Sequence, residues 1–326
     1  MNNKTVFVLG AGFSKEAGFP LTKEFTDRNE IKKFREILDK SEQERLDRVT
    51  EYFFNRIDEK YCKDDIESVL NHIAVADYLV MEATTKSDET YSSSQIFKDL
   101  LWFLTRMLKE RSKNTILSEY ERFVKYAYYN KCPIISFNYD MIIEEVLRKL
   151  DVECDYGFST TPIENSLFLM KMHGSVNWAF CSKCGNVILF SDYEASSVLE
   201  NKSHCTVCKE TTLETIIIPP ILYKDTFYKH PKYEDLIRQL WGFANDELVD
   251  AKNVVFIGFS MAETDAYAQE LFKFSSNMNK NAKYYLITRP KPEKDIEKLR
   301  GLYEKVLVGN KIKIIQETFI QYAKTI

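Results

Sequence analysis

Short apolar runs bounded by glycine, proline or polar residues recur along the chain, between longer stretches whose apolar positions repeat at helical spacing. The first run, Val6-Phe7-Val8-Leu9, predicts a strand over 5–9. Further strands are predicted at Cys132–Phe137, at LFLMKM (167–172), IIIPP (216–220), NVVFIGF (253–259), KYYLIT (283–288) and KIKIIQ (311–316). Helices are predicted between them, over 141–150, 263–275 and 292–306. Strands that alternate with helices imply a parallel sheet covered on both faces, a doubly wound α/β fold.

The stretch 22–130 breaks this rhythm, because it has almost no glycine or proline and reads as mostly helix. Within it Ile66, Val69, Leu70, Ile73 and Ala76 follow helical spacing, with Asp64 and Asp65 placed to cap or begin the helix. His72 reads as a helix-surface or satisfied core residue, and the aromatic segments FLTRML and FVKYAYY read as packing. No internal repeat is present. The expectation is one domain over 1–326, with a mainly helical insertion at 22–130.

Composition narrows the class without naming a function. At 326 residues, 44% hydrophobic and 29% charged, the chain can bury a large core and is not a disordered polymer. A net charge of -4 argues against a nucleic-acid surface spread over the molecule. No window reaches the ~18 apolar residues of a membrane span, and MNNKTVFVLGAG lacks the features of a signal peptide. A cytoplasmic protein with no membrane partner is expected. Seven cysteines, four of them in two tight pairs, suit a metal in a reducing compartment better than a disulfide framework.

Three kinds of motif carry chemistry. The first strand runs into Gly10-Ala11-Gly12, then Ser14, and such a strand-to-helix turn can offer backbone N–H groups to a phosphate, with Ser14 adding a hydroxyl. GxG alone is a weak signal, and the next glycine, Gly18, comes too late for the dehydrogenase fingerprint. Cys181-Ser-Lys-Cys184 and Cys205-Thr-Val-Cys208 make a strong signal, CxxC…CxxC with 20 residues between the pairs. Four thiolates complete a tetrahedron around Zn²⁺ and leave no open position, so the metal is expected to be structural, in a small zinc-ribbon module over 178–215. His204 reads as a bystander, and Cys62, Cys132 and Cys154 as buried thiols. Finally, polar residues stand at strand ends: Asn138-Tyr139-Asp140, His173-Gly174-Ser175 and Gly258-Phe259-Ser260. Each has a plainer explanation, since Asn138 or Asp140 could cap the helix near Met141, His173 could be a loop residue and Gly258 a packing glycine.

Taken in order, GAGFSKEAGFP, FNYD, MHGS followed by CxxC…CxxC, and IGFS resemble the sirtuin superfamily, over about 5–290 with 22–130 least matched. The resemblance implies a Rossmann-like NAD-binding domain with a helical and zinc-ribbon small domain. It also implies roles for individual residues. Gly10, Ala11, Gly12 and Ser14 would hold the NAD phosphates, and Gly18 and Phe19 would begin the loop over the nicotinamide ribose. Asn138 and Asp140 would lie near the ribose and carboxamide, His173 would be the catalytic histidine, Gly258 and Ser260 would make the second phosphate-and-ribose contact, and Thr288 would lie near the adenosine ribose.

The chain departs from the deacylases of that superfamily. Gly18-Phe19-Pro20 is followed by Leu21-Thr22-Lys23 where they have Asp-Phe-Arg, and IIIPPILYKD replaces a strand that pairs with acyl-lysine peptide. Pro219 and Pro220 cannot donate ladder hydrogen bonds. FNYD, HGSVNW and the prolines with Lys224 are instead similar to bacterial sirtuin-like proteins of antiviral defence, several of which hydrolyse NAD. The expectation is an NAD hydrolase with Asn138, Asp140 and His173 at its centre. Protein deacylation, ADP-ribosyl transfer and silent NAD sensing stay open. Restraint by homo-oligomerisation or by a separately encoded partner is also expected, with the aromatic-rich stretch 91–130 as a candidate interface.

Overall fold

The computed structural model describes residues 4–56, 66, 69–70, 72–73, 82–84, 90–114, 117–159, 161–210, 213–219 and 231–326. Asp64, Asp65, Cys62, Ala76, Pro220 and Lys224 lie outside the described residues. The chain divides into two compact units, one formed by Met1–Phe19, Asn114–Gly174 and Pro231–Ile326, the other by Pro20–Lys113 and Ser175–His230. The stretch 22–130 thus falls across both.

The first unit is built on a seven-stranded sheet in the order Ile312–Gln316, Lys283–Thr288, Asn253–Ile257, Thr5–Leu9, Ile134–Ser136, Ser166–Lys171, Glu153–Asp155. Every pairing is parallel. The first strand lies at the centre, and the chain lays down strands on one side of it before crossing to the other. Alternation along that strand sends Val6 and Val8 to one face, where they pack with Ile135, Met170, Val254 and Phe256 against Leu248, Phe272 and Tyr303 of the helices Pro231–Val249, Ala266–Met278 and Glu293–Val306. Phe7 goes to the opposite face and meets Phe123 of the helix Ser118–Tyr129 with ring centroids 4.9 Å apart. The sheet is therefore covered on both faces, as the alternating pattern predicts.

Besides an antiparallel pair in the second unit, three strands were not expected. Glu153–Asp155 is short and polar at the sheet edge, and Gly174–Cys181 with Val187–Leu189 joins a three-stranded sheet in which it is central. The run IIIPP shifts back to Leu213–Ile217, because a strand that must donate ladder hydrogen bonds stops short of Pro219.

The second unit holds the helices Arg28–Arg35, Lys40–Arg56, Ser93–Arg111 and Ala195–Leu199, with an antiparallel pair, Glu82–Thr84 and Thr90–Ser92, inside the stretch read as helical. Its polar anchor is Asp99, fully buried on the helix Ser93–Arg111, which accepts from Arg45 Nε and Arg48 Nε. The Arg45 guanidinium also lies 4.9 Å from the Trp102 ring centroid, and Trp102 Nε1 donates to Glu200 Oε1 at 2.6 Å. The aromatic residues that suggest an interface are used for packing instead: Trp102 and Phe103 in this unit, and Tyr120 and Phe123 in the first, are all fully buried. Tyr126 and Tyr128 are half-buried, and Tyr129 is 75% exposed. Among the described residues no helix is long and apolar enough to cross a membrane.

Candidate active site and metal centre

The carboxyl end of the central strand passes into a short helix, Ala11–Ser14, and the neighbouring strand Asn253–Ile257 ends at Gly258, whose φ of +60° needs glycine. The two turns touch backbone to backbone. A Cβ on Gly10 would lie 2.6 Å from Phe259 Cα, one on Gly12 would lie 2.7 Å from Gly258 Cα, and one on Gly258 would lie 2.3 Å from the Gly12 carbonyl carbon. Each glycine thus makes room for the other turn. The N–H groups of Gly10, Gly12 and Phe13 donate to Ile257 O, Gly258 O and Gly10 O. Tyrosine hydroxyls from helices on opposite faces of the sheet fix the two turns, Tyr120 donating to Phe13 O and Tyr303 to Phe259 O, each at 2.7 Å.

Ser14 sits at the centre of the polar network. Its hydroxyl donates to Asp140 Oδ2 at 2.7 Å and accepts from Asn138 Nδ2 at 3.0 Å. Asn138 Nδ2 gives its second hydrogen to Gly10 O at 2.9 Å. Both amide hydrogens are thereby committed to acceptors, which fixes the orientation of the side chain and leaves Oδ1 as its remaining acceptor. Asp140 Oδ1 accepts from Ile142 N–H at 3.2 Å, so this residue does help start the helix Ile142–Lys149 as well as hold Ser14. Burial pushes the Asp140 carboxyl above its usual value, against the pull of Lys171 and of the Ser14 hydroxyl.

His173 follows the strand Ser166–Lys171 by two residues, and Asn138 follows Ile134–Ser136 by two; the register Ser136↔Lys171 puts them level. The rings on either side of Asn138 reach the imidazole, Phe137 edge-on at 5.1 Å and Tyr139 at 6.1 Å. His173 Nε2 lies 2.7 Å from Asp265 Oδ2. Beneath the loop, Lys171 Nζ donates to Asp140 O and, at 2.8 Å, to Glu144 Oε1, which also accepts from Tyr156 OH at 3.1 Å. The other expected residues are more loosely connected. Phe19 N–H bonds Ser14 O at 3.3 Å, Gly18 takes φ +87°, Gly258 N–H bonds Ile287 O beside Thr288, and Ser260 is exposed.

Sequence reasoning missed Asp265, Lys171 and Glu144. Lys171 had a visible signal, a lysine inside the apolar run LFLMKM, since an ammonium in a parallel strand needs a buried partner. Asp265 was hidden because the predicted helix began at 263, whereas Asp265 is the cap of Ala266–Met278.

Residues 133–308, more than half of the chain, match the SIR2-like domain. The chain belongs to the SIR2-like family. The matched segment of this SIR2-like chain contains Asn138, Asp140, His173, the four paired cysteines, Gly258 and Thr288, and begins after the first glycine turn. Among solved structures it is similar to Sir2Tm bound to a propionylated peptide (12% identity, 99% of this chain and 91% of that one, TM-score 0.46). It is also similar to Sir2 with p53 peptide and NAD+ (13% identity, 99% and 91%, TM-score 0.45) and to a sirtuin solved for its substrate affinity (14%, 99% and 92%, TM-score 0.46). No curated protein matches.

In the second unit the sulfurs of Cys181, Cys184, Cys205 and Cys208 lie within 4.8 Å of one another. Cys181 and Cys208 are 3.6 Å apart and Cys184 and Cys205 3.7 Å. These spacings suit thiolates ~2.3 Å from a shared zinc, which tetrahedral geometry sets roughly 3.8 Å apart. They are too long for disulfide bonds. The two knuckles are copies of one turn: Cys181 N–H bonds Asn186 O and Cys205 N–H bonds Glu210 O, both at 2.9 Å, while Gly185 and Lys209 take φ +71° and +66°. Asn186 Nδ2 donates to Cys184 Sγ at 3.1 Å. The donor set fits a closed, structural zinc site.

Proposed function

We propose that the chain cleaves NAD+ between nicotinamide and ribose and passes the ribosyl carbon to water, giving nicotinamide and ADP-ribose. Membership of the SIR2-like family supports an NAD-dependent reaction. The observation that carries hydrolysis is Asn138, its two amide hydrogens tied to Gly10 O and Ser14 Oγ and its oxygen left to accept a hydrogen bond from water.

In this reading Asn138 Oδ1 aims a lone pair of the attacking water at C1′. The C1′–N bond breaks toward the pyridinium ring, whose nitrogen takes the electron pair, so nicotinamide leaves neutral and needs no acid. His173 receives the proton of the water as its oxygen bonds C1′. Asp140, both of whose oxygens already accept hydrogen bonds, keeps Ser14 and therefore Asn138 in place, and its part in holding the carboxamide is correspondingly reduced. Gly10, Ala11, Gly12, Ser14, Gly258, Ser260 and Thr288 remain the proposed cofactor-side contacts, with Gly18 and Phe19 at the ribose. Zinc, held by the four cysteines, takes no part in the chemistry.

Two departures from the deacylases favour water over an acyl-lysine acceptor: Leu21-Thr22-Lys23 after the glycine turn, and Pro219 two residues beyond the end of the strand Leu213–Ile217. An enzyme that destroys NAD suits an antiviral effector and needs restraint, by self-association or by a separate protein. The test is to incubate the purified chain with NAD+ alone and separate the products. Nicotinamide and ADP-ribose in equal amounts support the reading. Turnover only with an acylated peptide, or intact NAD+ recovered from the protein, would replace it with deacylation or sensing.

A further inference from the structure

His173 and Asp265 form a buried pair that the reaction above does not explain. Their side chains are only 5% and 4% exposed, and Nε2 and Oδ2 lie 2.7 Å apart. A carboxylate has no hydrogen to give, so the hydrogen in this bond belongs to Nε2. The other oxygen, Oδ1, accepts from Ala268 N–H at 3.2 Å at the start of the helix Ala266–Met278. The carboxylate is thus fixed by a helix terminus rather than by a flexible loop. The turn leading to it is held as well: Asp265 N–H bonds Ala262 O at 3.2 Å, Gln269 Nε2 bonds the same oxygen at 2.9 Å, and Met261, 2% exposed, takes φ +52°. Phe137 and Tyr139 flank the ring. Capping explains the bond to Oδ1 but not the contact of Oδ2 with His173, because serine or asparagine would cap as well.

We infer that Asp265 is the positioning residue of His173: it holds Nε2 protonated and the ring in one orientation, so that Nδ1 is the nitrogen that takes up and returns the proton. This rests on the reading of His173 as the base. As the water oxygen bonds C1′, its proton moves to Nδ1, and the imidazolium so formed has Asp265 as counter-ion; the proton then leaves to solvent. The arrangement follows the general rule that a histidine's second nitrogen, held by a carboxylate, decides which nitrogen reacts.

The tautomer can be read without any turnover. The full chain has four histidines, so ¹⁵N-histidine labelling gives few signals, and His173→Gln assigns the one in question. Expected is the Nε2–H form in the natural protein. Asp265→Asn and Asp265→Ser both keep a helix cap but remove the carboxylate, and both should lose that form. They should also lower kcat for nicotinamide release by about 10- to 100-fold with little change in KM, while Asp265→Glu recovers part of the loss. An Nδ1–H tautomer in the natural protein, or the same tautomer in Asp265→Ser, would overturn the assignment whatever the activity. Faster turnover in Asp265→Asn would overturn it too, marking the contact as a block on His173. A protein that leaves NAD+ intact would sink the proposed reaction while the spectrum still decided the role of Asp265.

Discussion

A methyl group on Gly258 is enough to test how the two turns are joined. It would meet the Gly12 backbone at 2.3 Å, at a φ of +60° that alanine tolerates poorly. Gly258→Ala is expected to destabilise the chain by about 2 kcal/mol or more, seen as a lower urea midpoint, and to impair turnover with it. Asp140 gives a second prediction. Its carboxyl is held above the usual 3.8 by burial, so the folded chain keeps this proton to a higher pH than the unfolded chain. Its contribution to stability is therefore greatest below 3.8 and declines as pH rises through the elevated folded value, after which it is constant. Asp140→Asn should flatten that decline in urea midpoints measured as pH is raised from 3.8. At this scale the sequence showed Asn138, Asp140 and His173 as strand-end residues. It did not show Asp265, whose role depends on a partner 92 positions away.

Elements carry their own tests. Gly242 and Gly301 lie in the helices Pro231–Val249 and Glu293–Val306, and a Cβ at either has no atom within 4 Å. Changing both to alanine should stabilise the chain by roughly 0.5–1 kcal/mol each without touching activity, in contrast to Gly258. The pair beneath the Asn138 loop behaves otherwise. Lys171→Met leaves Glu144 charged and buried, and should cost about 3–5 kcal/mol. Adding Glu144→Gln should recover most of that stability, yet nicotinamide release should stay slow because the Asp140 carbonyl has lost its anchor. Strands made of long apolar runs were legible because both faces of a parallel sheet are buried. Glu153–Asp155 was not, since an edge strand this short and polar has no pattern, and Gly174–Cys181 was not, since its burial comes from neighbours distant in sequence.

For the whole molecule, the two cysteine pairs were legible at once because their spacing is local chemistry. The division into two units was not, because it depends on which segments return to which sheet. Purified chain is expected to contain about one zinc, and Cys205→Ser to lose it and melt at lower temperature. The central claim concerns what becomes of NAD+. Nicotinamide release from NAD+ alone should be compared between the natural chain, Asn138→Ala and His173→Ala, each checked for folding. The account predicts release by the natural chain with no peptide present, and loss of about 100-fold or more in both variants. Release that requires an acylated peptide, or that survives in both variants, would contradict it.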